Sequence, residues 1–347
     1  MKKITSEANS LGVTIVVGGR WHAFDLAQQL HKQGDLHRLI TNYPAYFVRK
    51  WGIPPKYIVS LPLTFFLVKL IYFFGREPLM MRFQWIIHSW FAHQAAKYLD
   101  GSKLIHAWSS WAEPSLRWAS KKSIPTVLER SSVHILEQSR LLEEEYIRLN
   151  SRWNRTHPKI EQMELREYGL ASLIAVPSVY VQESFEKFGH NSSKIQRHIL
   201  GADLAKFTPK IESDTHLSSA LKLLYVGSLT PQKGVHDLLT GFKNFNSKSS
   251  ILSLLGGGIT PEINRLLNIN NDSRIKSFGH LPQSQLVDFY REHHLLILPS
   301  IQDGFGMVLA QAIACGIPIL ATTNTGGRDL LELGGSSPII HQFEGRK

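Results

Sequence analysis

The chain has little cysteine, no long apolar run and no low-complexity segment. Its 347 residues include a single cysteine, Cys315, so no disulfide can form within the chain and nothing indicates an oxidising compartment. A membrane-spanning helix needs about 20 apolar residues, whereas the apolar stretch from Ile58 to Phe74 is shorter and carries a lysine and a proline. The N-terminal segment MKKITSEANS lacks the apolar run of a signal peptide. We therefore expect a cytoplasmic protein.

The charge of the chain is strongly positive. Lysine and arginine number 39 against 28 acidic residues, which gives a formal net charge of +11. The cations are scattered, and no zinc-finger or RNA-binding signature accompanies them. This pattern favours anionic small molecules or an anionic membrane surface as partners and disfavours nucleic acid. The length is sufficient for two domains, each with its own core.

The stretch 299–316 is the most informative part of the sequence. It follows the run LLILP, which predicts a buried parallel strand, and continues as a glycine-containing turn and an apolar helical pattern. A strand, a glycine turn and a helix together present backbone N–H groups and the positive end of a helix dipole to an anion. Asp303 and Gln311 would each contact one part of an elongated ligand. The alternative is that Asp303 only caps the helix and that Gln311 is only a solvated helix residue.

The N-terminal half opens with a similar pattern. GVTIVVGG predicts a strand that ends at Gly18 and Gly19, and an amphipathic helical pattern follows as far as Gly34. Glycines at this position allow a ligand to approach the backbone closely. The fingerprint G-x-G-x-x-G is absent, which argues against an NAD-dependent oxidoreductase.

Polar and aromatic residues mark the ends of two later strands. His106 and Trp108 lie in KLIHAWSSW, and Arg130 and His134 follow the strand TVLE. Open α/β sheets bind ligands at the carboxyl ends of their strands. A functional role for Arg130 or His134 is therefore one hypothesis, and a structural role is the other.

The apolar stretch also has two interpretations. It is flanked by cations, namely Arg49, Lys50, Lys56 and Arg76. A helix that lies in a membrane interface has this composition, so residues 58–76 are a candidate for peripheral membrane contact. The alternative is a helix buried in the first domain.

The second half of the chain resembles glycosyltransferase family 4, one of the group 1 glycosyltransferases. The similar pieces occur in the family's order: LLYVGSLTPQKGV, LSLLGGG, IKSFGHLPQSQLVDFY and LPSIQDGFGMVLAQAIACGIPILAT. In the first half, GGRWHAFDLA and REYGLASLIAVPSVYVQESF are also similar. The resemblance implies the GT-B fold, an α/β architecture of two facing Rossmann-like domains with parallel sheets flanked by helices. We predict an N-terminal acceptor-side domain over residues 1–205 and a C-terminal donor domain over 206–347.

The resemblance further implies which residues form the site. Lys233 takes the position of the family's diphosphate lysine, and Asp303 and Gln311 take those of its two glutamates, which contact the transferred sugar and the ribose. Asp303 thereby joins Arg130 and His134 as a candidate catalytic residue. The other donor-binding candidates are Gly18, Gly19, Ser228, Gly257, His280, Leu281, Gly304, Phe305, Gly306 and Met307, and the acceptor candidates are His22, His106 and Trp108.

Several positions depart from the family pattern. Ser228 stands where the family usually has an arginine, Ser131 stands at the usual catalytic histidine, and neither glutamate is retained. The C-terminal segment SSPIIHQFEGRK matches no segment of the family, which predicts a truncated donor domain.

The implied function is the transfer of a hexose, with retention, from a nucleotide diphosphate sugar to a lipid-linked or polysaccharide acceptor. It belongs to polysaccharide biosynthesis at the inner face of the membrane and needs neither a metal nor another cofactor. The alternative is a degenerate relative that binds the nucleotide sugar without catalysis.

Overall fold

The computed structural model describes residues 10–74, 77–153, 155–210, 220–333 and 340–343. Its strands are β1 Val13–Val17, β2 Leu36–Thr41, β3 Ile58–Ser60, β4 Leu104–Trp108, β5 Thr126–Glu129, β6 Leu173–Val176, β7 Ile195–Arg197, β8 Lys222–Val226, β9 Ile251–Leu255, β10 Ile275–Gly279, β11 Leu295–Leu298, β12 Ile319–Thr322 and β13 Ile340–Phe343. Its helices are α1 Ala23–Gln33, α2 Ala45–Arg49, α3 Leu63–Phe73, α4 Glu77–Ala95, α5 Glu113–Lys121, α6 Ile135–Arg148, α7 Pro158–Leu170, α8 Val179–Lys187, α9 Val235–Asn244, α10 Pro261–Asn270, α11 Gln283–Glu292, α12 Met307–Ala314 and α13 Gly327–Leu333.

The chain divides into two compact units. The N-unit comprises Met1–Arg130, Asn154–Ala175 and Asn191–Gln196, and the C-unit comprises Ser131–Trp153, Val176–His190 and Arg197–Lys347. Helices α6 and α8 therefore group with the C-unit although they precede residue 206. The division of the domains at 205/206 stays a prediction.

The first sheet has seven strands in the order β3-β2-β1-β4-β5-β6-β7, with parallel ladders from β3 to β6. Strand β1 is buried along its whole length because it lies between β2 and β4. A strand buried on both faces is mostly apolar, and the polar residue in VTIVV, Thr14, makes a hydrogen bond with the buried Ser102 hydroxyl. The core around it includes Ile15, Phe24 and Leu39, all fully buried.

The second sheet has six strands in the order β10-β9-β8-β11-β12-β13, all joined by parallel ladders. Its core includes Leu224, Leu254, Leu296 and Ile319, which are fully buried. Strand β13 lies in the C-terminal segment and pairs with β12. The predicted α/β class, with two parallel Rossmann-like sheets flanked by helices, is confirmed.

Helix α3 shows that the apolar stretch is not buried. Thr64 is its one buried residue, and its exposed apolar side chains are Leu63, Phe66, Leu67, Leu70, Tyr72 and Phe73. The hypothesis of a helix buried in the first domain is therefore wrong. Residues 75 and 76 of the predicted membrane segment lie outside the described residues. Across the described residues, no helix combines the length and the apolar character needed to cross a membrane.

Candidate functional sites at the strand ends

The six-stranded sheet reverses its strand order between β8 and β11. The chain leaves β8 towards β9 on one side and leaves β11 towards β12 on the other. Ligands of open α/β sheets bind at such a point, because the two connecting loops separate there and leave a crevice. The loop after β8 contains the 3-10 turn Pro231–Lys233, and the loop after β11 contains Asp303.

Lys233 and Asp303 meet at this point. The Lys233 Nζ atom lies 2.5 Å from Asp303 Oδ2, and the two side chains are 21% and 17% exposed. Asp303 does not cap helix α12, whose N-cap residue is Gly306 and whose cap lacks a side-chain hydrogen bond. The capping alternative for Asp303 is therefore wrong. Two residues that lie 70 positions apart form one partly exposed ion pair at the predicted donor site.

The Gly304–Phe305–Gly306 turn is fixed by close backbone packing. A Cβ atom on Gly304 would lie 1.9 Å from the carbonyl oxygen of Ser131. The Gly304 carbonyl accepts a hydrogen bond of 2.6 Å from Ser178 Oγ, and Phe305 is 2% exposed. Helix α12 then begins at Met307. The turn therefore leads directly into the first turn of α12, where free backbone N–H groups can bind an anion.

Gln311 is buried, so the solvated-residue alternative is wrong. Its side chain is 5% exposed, and its Oε1 atom accepts a hydrogen bond of 3.0 Å from the Tyr290 hydroxyl. This contact fixes the orientation of the amide. A role of Gln311 on a ribose stays a prediction.

The remaining donor candidates of the C-unit follow β8, β9 and β10. The Leu229 amide donates to the Gly257 carbonyl, and the Tyr225 hydroxyl donates to the Ser228 carbonyl. A Cβ atom added at Gly257 would lie 3.6 Å from His280 Cβ. Ser228, Gly257, His280 and Leu281 therefore occupy one edge of the sheet, since parallel strands end on the same side.

The seven-stranded sheet reverses its order between β1 and β4. Gly18 follows β1, and an added Cβ atom there would lie 2.0 Å from the Trp111 ring. At Gly19 the corresponding neighbour is Trp21 Nε1, at 2.7 Å. Trp111 also stacks on His88, with ring centroids 3.6 Å apart. In this structure the two glycines make room for the chain's own indole rings.

The three acceptor candidates lie around the carboxylate of Glu129, which was not among the predicted site residues. Glu129 is 1% exposed, and its two oxygens lie 3.2 Å from His22 Nε2 and 3.2 Å from His106 Nε2. Trp108 pairs with Glu129 in the parallel register of β4 and β5, and its ring stacks on His106. The signal in the sequence was the single acidic residue that closes the apolar strand TVLE.

Arg130 faces a carboxylate inside the N-unit. Its Nη1 atom lies 3.1 Å from Glu164 Oε2, and the side chains are 10% and 3% exposed. Burial alone would lower the pKa of Arg130, but the nearby Glu164 raises it above its usual value. The charge of Arg130 is thus held and balanced by Glu164. A catalytic role stays a prediction, and it would need this pair to open.

The loop between β4 and α5 is held by a second glutamate of α7. Glu167 accepts hydrogen bonds from the backbone amides of Ser110, Ala112 and Glu113, at 2.7, 2.7 and 3.0 Å. Burial and the neighbouring Glu164 nevertheless raise the pKa of Glu167 to about 8. This glutamate positions the loop that carries Trp111.

His134 acts as the cap of helix α6 in the C-unit. It is 1% exposed, its Nδ1 atom accepts from the Leu136 amide at 3.3 Å, and its ring stacks on Phe188. The backbone amide of His134 donates to Ser184 Oγ at 2.9 Å. These contacts favour the structural hypothesis for His134, and the catalytic one stays a prediction.

One group of potential metal ligands lies wholly within the C-unit. Ligand atoms of Glu145, His236 and Asp237 all lie within 4.8 Å of one another. The Arg148 guanidinium lies among them, in contact with Glu145 and 3.0 Å from Asp237. The group is arranged as an ion-pair network around a resident cation, so it does not fit a metal ion.

Residues 209–341 match the family model of the glycosyl transferases group 1. This match supports a place for the chain in the group 1 superfamily. It reaches residue 341, so the expectation that the C-terminal segment matches no part of the family is wrong for residues 336–341, and the truncation stays a prediction. Over 102 residues the chain is 36% identical to a glycosyltransferase of Methanocaldococcus jannaschii, which covers 28% of each chain. Over 235 residues it is 27% identical to a glycogen synthase of Mycobacterium tuberculosis, covering 65% of this chain and 52% of that enzyme. The chain therefore matches about half or less of the length of these relatives.

Solved structures of similar fold cover nearly the whole chain. Anabaena HepE in complex with UDP and glucose has a TM-score of 0.62 and 13% identity, over 96% of this chain and 86% of that one. A sucrose-phosphate synthase from Thermosynechococcus elongatus has a TM-score of 0.65 and 16% identity, with the same coverage. At such identities the likeness concerns the fold.

Proposed function

We propose that this chain is a glycosyltransferase that transfers a hexose from a nucleotide diphosphate sugar to a lipid-linked or polysaccharide acceptor. The observation that carries the proposal is the Lys233–Asp303 ion pair at the strand-order reversal of the six-stranded sheet. UDP and glucose are bound by the structural neighbour from Anabaena, which supports a nucleotide sugar as the donor.

The ion pair fits a nucleotide diphosphate sugar because its cation and its carboxylate match two neighbouring parts of that donor, the diphosphate and the sugar. The Lys233 ammonium would hold the diphosphate, and Asp303 would then turn to the hydroxyls of the sugar. In the transfer, the bond from sugar C1 to the diphosphate oxygen breaks while the acceptor oxygen bonds to C1. Retention follows from front-side attack, in which the departing diphosphate takes the acceptor proton. Lys233 and the amides that begin α12 would stabilise the leaving charge without a metal.

Substitution Lys233→Ala tests the phosphate role. We expect the affinity for nucleoside diphosphates to fall by about tenfold or more, because charge-assisted contacts to phosphate are lost. The free energy of unfolding should change by no more than about 1 kcal/mol, since the ion pair is partly exposed. Calorimetric titration with UDP, GDP and ADP measures the first, and denaturant unfolding measures the second.

The matched control is Lys206→Ala, which removes an exposed ion pair with Asp203 in the same unit. It should leave nucleotide affinity unchanged. Equal affinities of wild type and Lys233→Ala would refute the phosphate role. If the wild type binds nucleotide sugars but releases no sugar with any acceptor, the degenerate relative is the better description, in keeping with Ser228 at the usual arginine position. An absence of nucleotide binding would exclude both.

Asp303→Asn separates binding from turnover. The amide keeps the shape of the side chain but loses its charge, so the ground-state affinity for UDP should change little. The hydrogen bonds to the sugar should weaken most in the transition state, which lowers kcat by about tenfold or more. A variant that loses UDP affinity and keeps kcat would contradict this role.

The proposal includes peripheral membrane contact through residues 58–76, at the cytoplasmic face. The support is the exposed apolar surface of α3, together with Lys50, whose ammonium lies near Tyr46 and Phe47 on α2. Apolar side chains and adjacent cations are the composition of an interfacial surface on an anionic bilayer. Flotation with liposomes that contain anionic lipid should carry the wild type upward at low salt. A Phe66→Ser, Leu70→Ser variant should remain in the dense fraction, and a wild type that never floats would refute the contact.

A further inference from the structure

A cavity of about 370 Å³ lies inside the N-unit, between helices α4, α5 and α7. This volume is within the range of small-molecule sites. Its lining includes three cations, Arg117, Lys159 and Arg166, which we call the cationic side, and the large apolar residues Trp85, Ile160 and Met163, which we call the apolar side. Polar residues such as Ser89, His93 and Gln162 also line it. None of these residues belongs to the strand-end site described above.

The cationic side is organised around one carboxylate. Glu113 Oε1 accepts from Arg117 Nε and Nη2 at 3.0 and 2.8 Å, while Arg166 Nε and Nη2 donate to the two oxygens at 2.9 Å each. Among the described residues that line the cavity, Glu113 is the one acid against three cations, so the lining has an excess of positive charge.

Glu113 is held in place from behind. Its side chain is 15% exposed, whereas those of Arg117 and Arg166 are 52% and 47% exposed. Its backbone amide donates to the buried Glu167. Burial would raise the pKa of Glu113, but the hydrogen bonds from Arg166 and Arg117 bring it below its usual value. The carboxylate is thus an ionised anchor that orients both guanidinium groups while leaving them open to solvent.

The apolar side continues onto the surface of α4. Lys159 Nζ lies 3.7 Å from the centre of the Trp85 ring, which joins the two sides of the cavity. On the same helix, Phe83, Ile86 and Trp90 are exposed. A ligand that matches this surface is an amphiphile with an anionic head in the cavity and a hydrocarbon chain along α4.

We propose that this cavity binds the phosphate or diphosphate group of a phosphate-bearing lipid, whose chain lies on the exposed apolar face of α4. Paired guanidinium groups match the oxygens of a phosphate ester, and a lysine adds a third contact. The cavity begins at the first turn of α5, directly after the loop that carries Trp111. The inference rests on the proposed function in one respect: the bound lipid would be the acceptor, lipid-linked in preference to a free polysaccharide.

Binding of farnesyl diphosphate and of inorganic diphosphate, followed by calorimetry, tests the site. Wild-type protein should bind farnesyl diphosphate at least about tenfold more tightly than inorganic diphosphate, because the chain adds apolar burial. Arg166→Gln should weaken the binding of farnesyl diphosphate by about tenfold. Arg166→Lys keeps the positive charge but loses the two-pronged guanidinium group. Its affinity for farnesyl diphosphate should lie between those of the wild type and Arg166→Gln. Trp85→Leu should reduce the preference for the farnesyl compound.

The matched control is Arg328→Gln, which removes a surface arginine paired with Glu183 in the other unit and should bind farnesyl diphosphate as the wild type does. Thermal unfolding of each variant identifies any loss of fold. If Arg166→Gln does not fold, the affinity of Arg166→Lys for farnesyl diphosphate tests the site instead.

Equal affinities of wild type, Arg166→Gln and Arg166→Lys for farnesyl diphosphate would overturn the site. If the wild type bound farnesyl diphosphate and inorganic diphosphate with equal affinity, the proposed lipid ligand would be refuted, and the cavity would be a site for free diphosphate. UDP affinity, measured in the same variants, should not change. A wild type that binds farnesyl diphosphate but no nucleotide would refute the proposed function and keep this site.

Discussion

The carboxyl edges of the two sheets arise from the same strand–turn–helix pattern but are filled in different ways. After β11, the Gly304–Gly306 turn passes against the backbone of Ser131, and an ion pair between Lys233 and Asp303 stands beside it. After β1, Gly18 lies against the ring of Trp111, and the nearby carboxylate Glu129 makes a hydrogen bond with His106 and lies 3.2 Å from His22 Nε2. Glycine thus serves backbone packing at one edge and the packing of an indole at the other.

This difference shows what a glycine at a strand end does and does not indicate. The lack of a side chain indicates only that another group approaches the backbone closely. The surrounding residues determine whether that group is a ligand or another part of the chain. At the edge of the six-stranded sheet a lysine and a helix N-terminus favour an anion. At the edge of the seven-stranded sheet aromatic rings and a histidine–carboxylate cluster favour a neutral, hydroxyl-rich group. The contrast agrees with the donor and acceptor roles that we propose.

The largest effect is expected from Gly304→Ala. A methyl group 1.9 Å from the Ser131 carbonyl oxygen cannot be accommodated without moving the backbone of one segment or the other. Overpacking of this kind costs roughly 1–3 kcal/mol, and here the upper end is expected because the added methyl group meets backbone atoms and not the end of a flexible side chain. Denaturant unfolding measures the loss, and calorimetry should show weakened UDP binding in the folded fraction.

Gly241→Ala is the control for this prediction. Gly241 lies within α9, and an added Cβ atom would meet nothing within 4 Å. Alanine should therefore stabilise the helix by roughly 0.5–1 kcal/mol. If Gly304→Ala were as well tolerated as Gly241→Ala, the close contact with Ser131 would not be present in solution.

Glu129→Gln probes the other edge and should have an intermediate effect. An amide can accept from one histidine but presents its NH₂ group to the second, so a buried polar contact is lost at a cost of about 1–2 kcal/mol. If the cluster helps to bind the acceptor, the KM for the acceptor should rise while the KM for the nucleotide sugar stays the same. Glu183→Gln, which removes an exposed ion pair, should change neither the stability nor either KM. An increase in the KM for the donor alone would reverse the assignment of the two edges.

The sequence predicted most strands of both sheets because their signals are local, but it missed β3, since the apolar stretch that begins at Ile58 predicts a helix. Apolar runs such as KLLYV and LLIL become β8 and β11, and the pattern from Met307 onward becomes α12. The motif order also placed Lys233 and Asp303 at one site, and the structure brings the two side chains into contact.

What the sequence could not predict depends on contacts between distant segments. The cluster of His22, His106 and Glu129 forms only because β1, β4 and β5 are adjacent in the sheet. This adjacency cannot be deduced from the order of the strands along the chain. Similarly, Trp111 reaches Gly18 across two neighbouring strand ends. Helix α3 was ambiguous for a different reason: a helix that is apolar all round is usually buried, and exposure is a property of its surroundings.

The smallest effect should come from His236, in the ion-pair network that links α6 to α9. Burial would lower the pKa of His236, but hydrogen bonds to Asp237 and Glu145 outweigh it, so the pKa is raised in the folded protein. The folded state therefore binds this proton more tightly than the unfolded state does. The resulting stabilisation is complete below the unfolded pKa of about 6.5 and is lost as the pH rises through the raised folded value.

We expect His236→Gln to destabilise the protein more at pH 6 than at alkaline pH, with a difference on the order of 1 kcal/mol or less. The effect is small because Arg148 also pairs with Glu145 and Asp237, so a neutral histidine does not leave these carboxylates unpaired. Denaturant unfolding of both proteins across this pH range measures the difference. In a Glu145→Gln background the pH dependence should be reduced, since one of the two acceptors is gone. A destabilisation that did not vary with pH would mean that His236 contributes packing alone, and that Arg148 holds α6 to α9 by itself.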